Sequence, residues 1–432
     1  PSTNPLARDD RSPCHPAVVE LRTEGSAGGA LAPAVVAEFV RDVLGPVPLD
    51  GRSVCVVVPD TTRTCPLPEL LDALHGAVID RVSKLTVLIA LGTHQPLPDE
   101  VLRAHVGATV SDDPRVRVLN HEWWKPDTFA TVGTISADDI ALASDGRLRE
   151  SVEVKVNREV TEHDVALVIG PVFPHEVIGF SGGNKYFFPG ISGPEVINLS
   201  HWLGALITSS KIIGVPGVTP VRRIVNKAAE LIPAQRLCLS LAIGSGTHDP
   251  SFVAFGTPED AWAAAAEVAA ELNVRYLDRP VRRVLSLVSP RYDDLWTGAK
   301  GMYKLDPVVA DGGELVIHAP HITVASVTHG EQLARVGYHC RDYFLADIEK
   351  YADIPRTVLA HSTHLRGDGT YDPQRGESCR ITVTLATGID EATTKALNLS
   401  YRDPAGIDPE EWARDPDTLV VPNAGEVLYR LR

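Results

Sequence analysis

Residues Gly170 to His201 read GPVFPHEVIGFSGGNKYFFPGISGPEVINLSH, and how this stretch is parsed decides the fold. Just before it, Asp164 to Ile169 (DVALVI) is a short apolar run with the β-branched content of a buried strand. His175 then falls beyond the carboxyl end of that strand, the edge at which open α/β sheets place their ligands. The Ser181-Gly182-Gly183-Asn184-Lys185 turn supplies glycines that tolerate positive φ, a hydroxyl and an ammonium, so its N–H groups can converge on a phosphate or carboxylate. A turn with no ligand has the same composition, and the motif alone does not separate the two. His175 before it and His201 after it weight the stretch towards a site.

Upstream, the pattern recurs. Ser53 to Val58 (SVCVVV) reads as a buried strand that empties into Pro59-Asp60-Thr61-Thr62-Arg63. Arg63 offers a planar fork for a carboxylate, while Asp60 or a threonine equally suits a helix N-cap; both roles can hold at once. Leu67 to Ile79 reads as the crossover helix and Lys84 to Ala90 (KLTVLIA) as the next parallel strand, ending in Leu91-Gly92-Thr93-His94. A lone histidine is commonly structural, yet imidazole is also suited to proton transfer near neutral pH. Successive strand ends that carry polar groups to one edge describe a doubly wound α/β sheet with a ligand cleft along its crest.

Elsewhere in the first half, helices are expected at Ala34 to Leu44, started by Pro33, and at Val221 to Ile232, with a strand at Cys238 to Ile243. That strand ends in Gly244-Ser245-Gly246-Thr247-His248, which pairs with no second functional group; His121 and Glu122 read as structural. The alanine-rich helix Glu259 to Leu272 reads as a linker. Beyond it, Val281 to Val288 is a strand followed by Trp296, Thr297 and Lys300, and Glu314 to His318 is another after a turn at Asp311-Gly312-Gly313. Arg356 to Ala360 is expected as a strand feeding a polar loop, His361-Ser362-Thr363-His364-Leu365-Arg366, and Arg380 to Ala386 as a last strong strand. The fold class is therefore α/β: two α/β domains with mostly parallel sheets and the active site in the cleft between them. The first spans 1–273, with the tail 410–432 as a segment that can return to it, and the second 281–400.

A formal charge of −15, with 44% hydrophobic and 22% charged residues, excludes a basic nucleic-acid or anionic-membrane surface, so any anionic ligand is held locally. The six cysteines lack C-x-x-C spacing and read as reduced thiols. No signal-peptide pattern and no apolar run of roughly 18 residues is present, and a cytoplasmic location is expected.

Asp60 and Arg63 in PDTTR, His94 in LGTHQ, His175 and Lys185 in PHEVIGFSGGNKYFFPG, His201, and Lys300 in AKGM, in this order, resemble the nickel-dependent lactate racemase family over roughly residues 50–305. The resemblance implies a nickel-pincer nucleotide, a pyridinium mononucleotide whose ring carbon and two sulfur-bearing substituents grip one nickel, and cofactor-maturation proteins that build it. It implies His201 as the nickel ligand, Lys185 as the cofactor lysine with or without a covalent link, and His94 and His175 as the acid/base pair. Arg63 and Lys300 would hold the substrate carboxylate, with Asp60 a further polar group. Ser181, Gly182, Gly183, Thr61 and Thr62 are assigned to the cofactor phosphate. The implied reaction inverts C2 of a 2-hydroxy acid by withdrawing hydride to the cofactor and returning it to the other face of a 2-keto acid. Two presentations of the hydroxyl call for two proton acceptors.

The family's Tyr-Gln pair ahead of the lysine is Trp296-Thr297 here. With His364 and Arg366 these are assigned to a larger, hydroxylated substrate such as a sugar acid, because unpaired buried donors would be costly against a methyl group; lactate or another short acid is the alternative. Two rivals use the same residues differently: a zinc hydrolase with His94, His175 and His201 as ligands, and a non-catalytic carrier of the cofactor.

Overall fold

The computed structural model describes residues 19–432; Cys14 and the expected start of the first domain lie outside the described residues. The larger sheet runs, in spatial order, Arg22–Gly25, Pro250–Gly256, Gln235–Ile243, Val165–Pro171, Ser53–Pro59, Lys84–Ala90, Val116–Asn120. Pairing is parallel from Gln235–Ile243 to Val116–Asn120 and antiparallel at the other edge. Val54, Val56 and Val58 face one apolar cluster, under the helices Pro33–Leu44 and Leu67–Val78, while Cys55 and Val57 face another with Phe187 and Trp262. Cover on both faces is why SVCVVV and KLTVLIA show no polar alternation.

Helix starts follow local chemistry. Proline occupies the first position of Pro33–Leu44, Pro194–Ile207, Pro220–Glu230 and Pro258–Asn273. Thr219 and Thr257 accept the N–H groups of Arg222 and Asp260 at 3.2 and 3.1 Å.

The smaller sheet is wholly parallel, in the order Ser400–Tyr401, Thr382–Thr387, Val309–Ala319, Val281–Val288, Thr418–Ala424. Strand order reverses between Ser53–Pro59 and Val165–Pro171 in the larger sheet, and between Val281–Val288 and Thr418–Ala424 in the smaller. Crevices open at the carboxyl ends of strands flanking such reversals. Helix Pro194–Ile207 joins the two cores: Val196, Leu199 and Leu203 pack in the first, Trp202 and Ala205 in the second.

Two expectations are corrected. Arg356–Arg366 is a helix, not a strand and a loop; every residue from Thr357 to Leu365 is buried, so its apolar start reflects cover on all sides. The tail supplies Thr418–Ala424 as an edge strand of the smaller sheet, while Leu428–Leu431 pairs with Val274–Leu277 and Arg430 donates to the Ile213 carbonyl at 2.6 Å. Asp311-Gly312-Gly313 is an irregularity inside the Val309–Ala319 strand, where the pairing slips between Val281 and Arg283, rather than a turn before it.

Candidate active site

The strand ends of both sheets open onto one cavity of about 1090 Å³, its solvent-filled mouth included. From the larger sheet come Asp60, Thr62 and Arg63 after Ser53–Pro59, His94 after Lys84–Ala90, and His175, Ser181, Gly182 and Lys185 after Val165–Pro171. Helix Pro194–Ile207 contributes His201, the segment after Val281–Val288 contributes Trp296 and Lys300, and helix Arg356–Arg366 contributes His364. Four expected residues lie off the wall. Thr61 is exposed beside the turn. Gly183 packs on Trp262, where a Cβ would stand 2.8 Å from the Trp262 Cβ. Thr297 spends its N–H and hydroxyl on Asp294 at 2.9 and 2.8 Å. Arg366 donates to the Asn398 carbonyl at 3.0 Å and pairs with Glu377 at 3.2 Å.

Asp60 is no helix cap, since the helix begins only at Leu67. Its Oδ1 accepts the Thr62 N–H and hydroxyl at 3.1 and 2.6 Å, an Asx turn, and its Oδ2 meets His94 Nδ1 at 2.5 Å. Burial works against ionisation of Asp60, but the His94 charge, with Thr62 and Arg63, outweighs it and holds the carboxyl well below the usual carboxylate range. An ionised Asp60 accepts the His94 Nδ1 hydrogen, so in the neutral form of that ring the lone pair lies on Nε2. On the far side, the Val177 N–H donates to His175 Nδ1 at 3.1 Å, so the neutral ring carries its hydrogen on Nε2. Burial first, then the Lys185 and Arg63 charges, keep His175 well below the ordinary histidine range.

The glycine turn is held from behind. Arg222, fully buried, donates to the carbonyls of Gly182, at 2.9 Å, and Phe180, and Trp262 Nε1 donates to that of Ser181 at 2.9 Å. The guanidinium lies 4.0 Å from the Trp262 ring centre. Lys185 projects from this rigid turn, and burial, then Arg63, lower its ammonium to about 7. His201 Nδ1 donates to the Ile197 carbonyl at 2.8 Å, and burial lowers the ring to about 4. It is therefore a neutral imidazole with its Nε2 lone pair uncommitted.

Sequence reasoning missed Glu176, which lines the cavity next to His175. Burial opposes its ionisation, and Lys300 followed by Lys304 and Arg63 reverse that, keeping the carboxylate charged within a ring of cations. The signal was present as the residue after PH, but a strand-end glutamate has no distinguishing pattern. Tyr186, Tyr303, Thr357 and His361 also line the wall. Among the described residues no three His, Cys, Asp or Glu side chains come together as a metal site, although His94, His175 and His201 line the same cavity.

The lactate racemase N-terminal domain model matches residues 43–213. The chain is 24% identical over 274 residues to the lactate racemase of Thermoanaerobacterium thermosaccharolyticum, and 26% identical over 164 residues to that of Lactiplantibacillus plantarum. These matches cover 62% and 37% of this chain but only 60% and 34% of the relatives' own lengths. A crystal structure of a Thermotoga maritima protein superposes with a TM-score of 0.86 and 33% identity, over 94% of this chain and 99% of that one. The lactate racemase apoprotein of T. thermosaccharolyticum shares the fold, with a TM-score of 0.69 at 19% identity over 95% and 94%. Residues 43–213, which carry most of the cavity wall, thus match the lactate racemase N-terminal domain, and the chain shares the fold of a lactate racemase apoprotein across nearly its whole length.

Proposed function

We propose that the protein is a racemase or epimerase that inverts C2 of a 2-hydroxy acid with a nickel-pincer nucleotide, and that its substrate is larger and more hydroxylated than lactate, such as a sugar acid. The observation that carries this reading is the convergence of the Asp60-bonded His94, His175, Lys185, His201, Arg63 and Lys300 on one cavity.

The donor set fits the cofactor. The uncommitted Nε2 of His201 suits nickel, for which imidazole is a favourable ligand. Lys185, an amine near neutral at pH 7, suits either a charge contact or an amide-type link. Thr62, Ser181 and Gly182 remain as candidates for the phosphate. When bound, the nucleotide supplies an acceptor for the C2 hydrogen with its electron pair and returns it, so that the substrate passes through a planar 2-keto acid.

The protein's own groups do the rest. Arg63 and Lys300 hold the carboxylate and so fix C2 in place. His94 takes the hydroxyl proton at Nε2, and the ionised Asp60 stabilises the imidazolium that results. His175 faces the hydroxyl of the opposite enantiomer, and to accept its proton at Nε2 the ring first moves its own hydrogen to Nδ1 and gives up the Val177 bond. Its depressed basicity rises once the substrate carboxylate offsets the surrounding cations. Trp296, stacked on His361 with ring centres 3.9 Å apart, walls the site from water.

The test is to produce the protein beside a cofactor-synthesis system and to measure its nickel content, nucleotide absorbance and intact mass. Single-isomer aldonates and lactate are then followed by chiral chromatography. Nickel and nucleotide with C2 inversion of an aldonate are expected. A loaded protein that inverts lactate alone overturns the substrate, and a loaded protein that turns over no 2-hydroxy acid supports the carrier reading instead.

A further inference from the structure

Helix Arg356–Arg366 lines the cavity with two histidines that carry buried polar atoms with nothing to bond. His364 is 3% exposed and lines the wall, and neither ring nitrogen has a partner among the described residues. One turn earlier on the same face, His361 donates from Nε2 to the Trp296 carbonyl at 3.1 Å, which leaves its buried Nδ1 as an unpaired acceptor. A polar atom buried without a partner is costly, because the water it gave up is not replaced. Three such atoms on two residues that line this cavity are therefore expensive unless a ligand pairs with them.

The chemistry of the vacancies is specific. Burial lowers His364 to about 4 and His361 to about 3, so both rings are neutral. Together they offer one N–H and two lone pairs. Excess acceptors call for a ligand that donates, and a hydroxyl both donates and accepts. A methyl or phenyl group would leave all three atoms unpaired. A second carboxylate, an acceptor only, would set its lone pairs against those of the rings, with the ionised Glu176 also in the cavity wall.

We infer that His364 and His361 form a distal subsite that reads a hydroxyl on the substrate chain beyond C2, selecting polyhydroxylated 2-hydroxy acids over both alkyl and dicarboxylic ones. This rests on the 2-hydroxy acid reading above and names the residues that decide the substrate within it. Their placement is settled by packing: Tyr303 meets the His364 ring edge-on at 5.9 Å, and Trp296 stacks on His361 with the planes 4° apart. Neither ring can swing away to find water.

Calorimetry on the cofactor-loaded and cofactor-free protein, with a six-carbon aldonate, lactate and malate as ligands, tests it. The wild type should bind the aldonate at least about tenfold more tightly than either competitor. His364→Leu should lower the ratio of aldonate to lactate affinity by about tenfold, and His364→Gln, which keeps one donor and one acceptor, should restore part of it. Circular dichroism and melting curves on both variants separate lost recognition from lost folding. A ratio unchanged in a folded His364→Leu protein, or a wild type that prefers malate or lactate, overturns the subsite. Aldonate binding that depends on His364 in a loaded protein without epimerase activity upholds the subsite and overturns the racemase. Lactate racemisation without an aldonate preference does the reverse.

Discussion

The Asp60 carboxylate decides which nitrogen of His94 carries a hydrogen, and with it whether His94 can act as a base at Nε2. Asp60 acts through His94, so Asp60→Asn should lower kcat by about 10²–10⁴-fold, by analogy with loss of the orienting carboxylate in serine-protease triads. Nickel and nucleotide content should stay unaltered, since neither His201 nor Lys185 bonds to Asp60. A kcat within about threefold of wild type would show that the tautomer is set by something else. Lys185 gives a second expectation. Its ammonium is lowered from 10.5 to about 7, by burial and then Arg63, so the free amine is the majority form above neutrality. In the cofactor-free protein, acetylation of Lys185 followed by peptide mass spectrometry should rise with a midpoint near 7, while exposed lysines are still climbing. A Lys185 profile that tracks the surface lysines would remove the argument that this amine is prepared for a covalent link.

At the scale of elements, the turn from Ser181 to Lys185 is rigid because its carbonyls are bonded from behind and its glycines are wedged. Gly182 has φ +85° and Gly183 φ +57°, and a Cβ on Gly182 would stand 2.6 Å from Val172 Cγ2. Gly182→Ala should therefore destabilise the protein by at least about 2 kcal/mol in urea unfolding, from positive-φ strain and the clash together; a loss under about 0.5 kcal/mol would mean that the turn yields. The same turn marks how far the sequence could be read. Its glycines, Lys185 and the flanking histidines were legible because each needs a particular residue type. Arg222 and Trp262, which fix the turn, were not, because they come from helices about 40 and 80 residues away and look in sequence like ordinary helix residues. The strands SVCVVV, KLTVLIA and DVALVI were legible because burial on both faces leaves an unbroken apolar run. That same logic misled at Arg356–Arg366, where cover on all sides gave a helix a strand-like composition. Thr61 and Thr62 differ by one position in a turn, and only the Asx bond from Asp60 shows which one faces inward.

At the scale of the whole molecule, the cavity gathers histidines from both halves of the chain, and burial keeps His175, His201, His361 and His364 neutral. His201 comes from the helix that joins the two cores, and His361 and His364 come from the helix packed beside it, where Thr357 N–H donates to Asn198 at 3.0 Å. In the unfolded chain these rings titrate near 6.5; in the folded protein burial lowers His201 and His364 to about 4 and His361 to about 3. Between those values the unfolded chain binds more protons than the folded one, so stability rises with pH across the window from about 4 to 6.5 and falls as acid is added. Lys185 and Lys304, each lowered from 10.5 to about 7, extend the rise from about 7 towards 10.5, since there too the unfolded chain holds the extra proton. Each histidine contributes on the order of 2–3 kcal/mol to the acid slope. The cofactor-free protein should therefore melt progressively higher from pH 4.5 to 6.5, and His361→Leu/His364→Leu should flatten that rise because two strongly perturbed rings are gone. The leucines also remove unpaired buried atoms, so the variant should be nearest to wild type, or above it, at the acid end. Melting curves with equal slopes in the two proteins would mean that the cavity admits protons and water freely, and that its histidines are not held neutral by the closure of one half of the chain upon the other.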